Sequence, residues 1–147
     1  MAYSKLPDDF KIPNKVISND QYVFNPQVEW TGGGMASTTS DLAKWAKIYF
    51  EGQLFSKNLL TKITTINRNG TKVDAGHSYG MGSFIYHTNK GDIYGHSGFM
   101  PGYNSIFAYY PKEKIAVALQ INCDYAGSKM PLTGYIDALT QIIIKAN

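Results

Sequence analysis

Tyr94-Gly95-His96-Ser97-Gly98-Phe99-Met100-Pro101-Gly102-Tyr103 marks the point where an apolar strand gives way to a glycine-rich turn. Outward from it the chain keeps alternating between strands and turns. Upstream, Asp92 to His96 reads as a strand returning from the turn Thr88-Asn89-Lys90-Gly91, and Tyr79 to His87 as the strand before that turn. Downstream, Tyr103 to Tyr110 is a third strand, Pro111-Lys112-Glu113-Lys114 a turn, and Ile115 to Asn122 a fourth strand. The run Ile115-Ala116-Val117-Ala118-Leu119-Gln120-Ile121 is almost wholly apolar, the pattern of a strand covered on both faces. Leu132 to Lys145 then carries apolar residues at helical spacing, with Ile136, Leu139, Thr140 and Ile143 on one face.

The part before the strands is helical. Thr38-x-x-Asp41 forms a capping box, and Leu42, Trp45, Ala46 and Tyr49 recur at i, i+3, i+4 and i+7 before Gly52 ends the helix. A shorter helix from Ser56 turns Leu59, Leu60 and Ile63 inward. Residues 1–30 read as irregular or extended, broken by Pro7, Pro13 and Pro26, with a short strand at Tyr22-Val23-Phe24. Trp30-Thr31-Gly32-Gly33-Gly34-Met35 reads as a turn. The sum is α+β: an antiparallel sheet of about four strands with helices packed on it, in one domain or part of one over residues 1–147 (1–30 irregular, 31–66 helical, 79–147 sheet and final helix).

Composition narrows the function. Hydrophobic residues make up 44% and charged residues 17%, which suits a packed core and not disorder. The net charge of +3 comes from scattered lysines, with no basic stripe for nucleic acid. No apolar stretch approaches the ~20 residues of a membrane span, and the first residues lack the apolar centre of a signal peptide. Cys123, alone in the chain, excludes an internal disulfide and closes an apolar run, as a buried thiol does. His77, His87 and His96 follow no metal-ligand spacing, and Gly32-Gly33-Gly34 lacks the lysine of a phosphate loop, so neither metal nor cofactor is expected. Asn69-Gly70-Thr71 fits a glycosylation acceptor or a plain turn, and of Tyr109 and Tyr110 one is expected in the core and one at the surface. A small hydroxyl residue followed by glycine at a strand edge lets a backbone N–H come close to a carbonyl, which is half of an acyl-transfer site. His96, Ser97, Gly98 and Phe99 are therefore the candidate site residues.

Three segments carry a family resemblance: Gly33-Gly34-Met35-Ala36-Ser37-Thr38-Thr39-Ser40-Asp41-Leu42-Ala43-Lys44-Trp45, then Gly95-His96-Ser97-Gly98 with Pro101-Gly102-Tyr103, then Pro111 through Asn122. In this order they resemble the C-terminal part of the serine β-lactamase and penicillin-binding superfamily of bacteria, in its class C β-lactamase and DD-carboxypeptidase branch. The resemblance implies that the sheet is part of a larger αβα sandwich. It implies a third catalytic motif at His96-Ser97-Gly98, with His96 and Ser97 facing the substrate carboxylate or leaving group and the Phe99 N–H as one oxyanion donor. The implied substrates are a β-lactam or a D-Ala-D-Ala-type peptide, and the implied compartment is periplasmic or extracellular.

The nucleophile of that family, the serine of Ser-x-x-Lys, is not in this sequence. No serine has a lysine three residues on; Ser40 has Lys44 at four. Tyr-x-Asn is absent as well, Tyr103 and Asn104 being adjacent. Gly95-His96-Ser97-Gly98-Phe99 is not a nucleophile elbow, which needs glycine where Phe99 stands. The expectation is a C-terminal piece of a longer acyl hydrolase, inactive without its missing N-terminal portion. The alternative is a non-catalytic module that self-associates as a homodimer or domain swap through an exposed strand edge.

Overall fold

The structure, a computed structural model, describes residues 14–65, 72–74, 76–80, 82–89, 91–123 and 131–146. The readings on Pro7, Pro13 and Asn69-Gly70-Thr71 lie outside these. The order is β1 (Ile17–Ser18), β2 (Gln21–Tyr22), α1 (Trp30–Gly33), α2 (Thr39–Phe50), α3 (Lys57–Thr64), β3 (His77–Gly80), β4 (Ser83–Thr88), β5 (Gly91–Met100), β6 (Tyr103–Tyr110), β7 (Ile115–Ile121) and α4 (Leu132–Ala146). This is α+β, as the sequence indicated.

The antiparallel meander has five strands, in the order β3-β4-β5-β6-β7. The single strand expected from Tyr79 to His87 is two. Gly82 sits at φ 81°, a conformation that glycine adopts without strain, and it turns the chain so that Gly80 pairs with Ser83. Two smaller corrections lie upstream. Trp30-Thr31-Gly32-Gly33 closes one helical turn where a plain turn was expected, and the short strand is Gln21–Tyr22, pairing with Ile17–Ser18.

Helix α2 starts as its cap dictates. Thr38 Oγ1 accepts the Asp41 N–H at 3.1 Å and donates to the Asp41 carboxylate at 2.8 Å. It ends at Phe50, with Gly52 at φ 75° beyond it. Ser56 caps α3 in the same way, accepting the Leu59 N–H at 3.3 Å.

Each face of the sheet has its own helices. On one face, Ile106, Ala108 and Tyr110 of β6 and Val117 of β7 pack against Leu132 and Ile136 of α4. On the other, the Phe50 ring of α2 stacks on Tyr94 and Tyr109, at centroid distances of 5.5 and 5.7 Å. Each aliphatic side chain so buried contributes roughly 1.5–3 kcal/mol against leaving it in water. Coverage on both faces explains why Tyr109 and Tyr110 are both buried, where one was expected at the surface. Tyr109 reaches Glu51 and Tyr110 reaches Asp137, each through its hydroxyl at 3.3 Å.

The helix faces match those read in the sequence only in part. In α2, Ala46 and Phe50 are buried and Trp45 is half exposed; in α3, Ile63 is buried and Leu59 exposed. In α4, Leu132, Ile136 and Thr140 point inward, and Leu139 and Ile143 stay exposed. Cys123, expected buried, is only partly so; its carbonyl accepts from Asn104 Nδ2 at 3.0 Å. Among the described residues no helix is long and apolar enough to cross a membrane.

Candidate functional site

The strand carrying Gly95-His96-Ser97-Gly98 outruns its neighbour. The ladder between β4 and β5 ends at Phe84↔Gly95, while β5 and β6 stay paired from Tyr94↔Tyr109 to Met100↔Tyr103. From His96 to Met100, β5 therefore has β6 on one side and no β4 on the other. The pair Met100↔Tyr103 flanks the tight turn at Pro101-Gly102, which makes it a hydrogen-bonded pair. Alternation along an antiparallel ladder then aims the peptide groups of Ser97 and Phe99 away from β6, toward the side that β4 has left. Register thus leaves the Ser97 and Phe99 peptide groups, the ledge of the candidate site, on a side of β5 that β4 does not cover.

Both glycines of the motif are demanded by packing. A Cβ on Gly95 would collide with the Phe107 carbonyl oxygen, and one on Gly98 would stand 2.6 Å from Ser105 Oγ. Their absent side chains serve the β5–β6 contact itself, a constraint that composition and spacing do not reveal. Across from Phe99, Asn104 is almost fully buried, and its Oδ1 finds no partner among the described residues.

His96 is held at both ring nitrogens. Its Nδ1 lies 2.6 Å from the Ser97 carbonyl oxygen and its Nε2 lies 2.9 Å from Tyr79 Oη. Phe84 leans on the ring at 5.1 Å, and Tyr79 meets it edge-on at 5.7 Å. Tyr79 escaped the sequence reading because only the β3–β4 hairpin brings it beside a histidine 17 residues away. Its phenol also lies near that of Tyr49, whose ionisation is pushed up first by burial and then by Tyr79.

The other two histidines are engaged elsewhere. His77 Nδ1 meets Asp74 at 2.7 Å, and this bond is the first cause that holds the Asp74 carboxyl below its usual range. His87 lies between Ser78 Oγ and Asp92 Oδ1, at 2.9 Å from each. Ser78-His87-Asp92 has the connectivity of a nucleophile, its base and an orienting carboxylate, yet it is not set against the ledge. Asp92 is four residues before His96, about 13 Å along the strand at ~3.3 Å per residue, and Ser78 is only 5% exposed. The arrangement ties the edge hairpin to β5. Among the described residues no three His, Cys, Asp or Glu side chains gather as metal ligands would. A cavity of about 240 Å³, lined by Asp92, Tyr110, Lys112, Glu113 and Asp137 among others, lies between α4 and the turns at the far end of β5 from His96.

The comparisons agree with this architecture. Residues 3–141 match the Beta-lactamase family model. Among solved structures the chain is similar to a D-stereospecific amidohydrolase from Streptomyces sp., at 25% identity and TM-score 0.67, over 84% of this chain and 35% of that one. In fold it is also similar to a penicillin binding protein from Bacillus halodurans, at 21% identity and TM-score 0.59, over 69% of this chain and 30% of that one. The chain thus spans about a third of the length of either structure. No protein with a curated description matches its sequence. A family match over almost the whole chain, on a helix-covered antiparallel sheet whose Gly-His-Ser-Gly strand outruns its neighbour, makes this protein a member of the Beta-lactamase family.

Proposed function

We propose that this chain supplies the third-motif wall of a serine acyl hydrolase, with His96, Ser97 and Gly98 forming the wall and the Phe99 N–H serving as one oxyanion donor. The observation that carries this reading is the ladder between β4 and β5 stopping at Gly95, which leaves the motif on a strand with one side clear of β4. Substrates would be β-lactams, D-Ala-D-Ala-type peptides or related amides and esters. The solved relative described as a D-stereospecific amidohydrolase supports an amide. Attack needs a serine with an adjacent base, and the Ser-x-x-Lys that would provide both is absent from the sequence. Turnover then requires polypeptide bearing that motif, joined in cis or added as a second chain.

The test is acylation by a fluorescent penicillin, read by intact mass. The chain alone is expected to stay unmodified. Joined to a polypeptide that carries a Ser-x-x-Lys of this family, it is expected to restore an adduct on that serine. An adduct on this chain by itself would overturn the reading.

A second reading has its own observation. Trp30 and Met35 are 80% and 92% exposed, and Ile142 lies bare on the outer face of α4 beside Leu139 and Ile143. Apolar surface on this scale favours association, and β7 is an outer strand of the sheet. A self-associating module would give a dimer mass by light scattering at micromolar concentration. A monomer at that concentration would remove this reading.

A further inference from the structure

The polar contacts of His96 assign its protons. A carbonyl oxygen can only accept, so the 2.6 Å contact with the Ser97 carbonyl places a proton on Nδ1. In the neutral ring Nε2 is then a bare acceptor, and the Tyr79 hydroxyl at 2.9 Å donates to it. Both ring nitrogens are occupied, and the ring plane is fixed by Tyr79 and Phe84 packing at 76° and 43° to it. The bonds form one line, from the Tyr79 hydroxyl through the imidazole to the carbonyl of the Ser97–Gly98 peptide. That peptide belongs to the part of β5 without β4 beside it, where no ladder bond from β4 steadies the Ser97 carbonyl.

We propose that Tyr79 is a positioning residue of the His96 ledge: it fixes the imidazole so that the ring clamps the Ser97 carbonyl and, together with the β6 ladder bond at the Gly98 N–H, holds the plane of the Ser97–Gly98 peptide. This rests on the proposed function for its relevance to acyl transfer. It changes the role expected of His96. With Nε2 taken by Tyr79, the neutral ring has no N–H to offer a substrate carboxylate or leaving group, and it acts on the site through the backbone. A ligand that needs an N–H from His96 must first displace Tyr79.

Nitrogen-15 NMR of the imidazoles in the full chain tests the clamp. The wild type is expected to show neutral His96 protonated at Nδ1, with Nε2 as a hydrogen-bonded acceptor. In Tyr79→Phe the His96 Nε2 resonance shifts, those of His77 and His87 stay in place, and the Gly98 amide exchanges about fivefold faster, the size expected for one lost hydrogen bond. His96→Ala gives the same acceleration at Gly98. A wild-type His96 protonated at Nε2 overturns the proposal without recourse to any variant. So does a folded Tyr79→Phe chain, with His77 and His87 signals intact, whose His96 resonances and Gly98 exchange match the wild type. These readouts need neither an acyl donor nor a second polypeptide. Failed acylation therefore leaves the clamp standing, and a failed clamp leaves the acyl-transfer reading standing.

Discussion

At the scale of single residues, the Gly-His-Ser-Gly motif is constrained by packing before any chemistry is asked of it. Gly95 leaves room for the backbone of β6, and Gly98 leaves room for one side chain of it, Ser105. These two constraints differ in how they can be relieved. Gly95→Ala drives a methyl into a carbonyl of a central strand, and a loss at the upper end of the usual 1–3 kcal/mol for overpacking is expected. Gly98→Ala meets only a hydroxyl, so its cost should fall sharply when Ser105→Ala is added, although the two sites are adjacent on the ladder. A double-mutant cycle by urea unfolding reads the difference; equal costs of Gly98→Ala with and without Ser105 would show that the clash lies elsewhere. His96 and the glycines were legible in the sequence because they are contiguous. Tyr79 was not, because its link to His96 is a tertiary contact between different strands.

At the scale of elements, helix starts follow local chemistry and helix faces do not. The Thr38 cap of α2 was readable from Thr-x-x-Asp, since the whole device lies within four residues. Thr38→Ala should lower stability by about 1 kcal/mol, seen as a lower melting temperature with unchanged β-sheet signal. The inward face is legible only in part in α2, α3 and α4: Ala46, Ile63, Ile136 and Thr140 are buried as expected, and Trp45, Leu59, Leu139 and Ile143 are not. Trp45 fits the apolar period yet stays half exposed, because the sheet below is met by Phe50. The hairpin between β3 and β4 was hidden for a related reason. Tyr79 to His87 is apolar enough to read as one strand, and only Gly82 with its positive φ betrays the reversal.

At the scale of the whole molecule, a sheet covered on both faces buries tyrosines that a one-sided sheet would leave wet. Tyr109 is the sharpest case. Burial first, then the Glu51 carboxylate, pushes its ionisation from 10.0 up to about 12. Tyr49, Tyr94, Tyr103 and Tyr110 are raised as well, burial being the first cause in each. A raised acid keeps its proton in the folded state, so its stabilisation is whole below pH 10 and is lost as pH climbs from 10 towards 12. Thermal melts should therefore be flat up to about pH 10 and fall steeply above it. Phenolate absorbance in the native protein should lag behind that of the urea-unfolded chain. Coincident native and unfolded titrations would contradict the burial of these rings. Glu51 contributes at the other end: the bond to Lys47 holds its carboxyl below the usual range, a contribution present at neutral pH and lost as acid protonates it.

From the sequence alone came the α+β class, the strands begun at Asp92, Tyr103 and Ile115 with the turn at Pro111–Lys114, the cap of α2 and the four candidate residues, each written in neighbouring residues by period, turn chemistry or motif; that β5 runs on past His96 to Met100 was not among them. The tertiary structure alone decided that β5 outruns β4, that Tyr79 grips His96, that Ser78-His87-Asp92 sits along the sheet from the ledge, and which side of each helix is dry. Those outcomes depend on which strand ends first and which ring meets which helix, and such long-range geometry leaves no trace in local spacing.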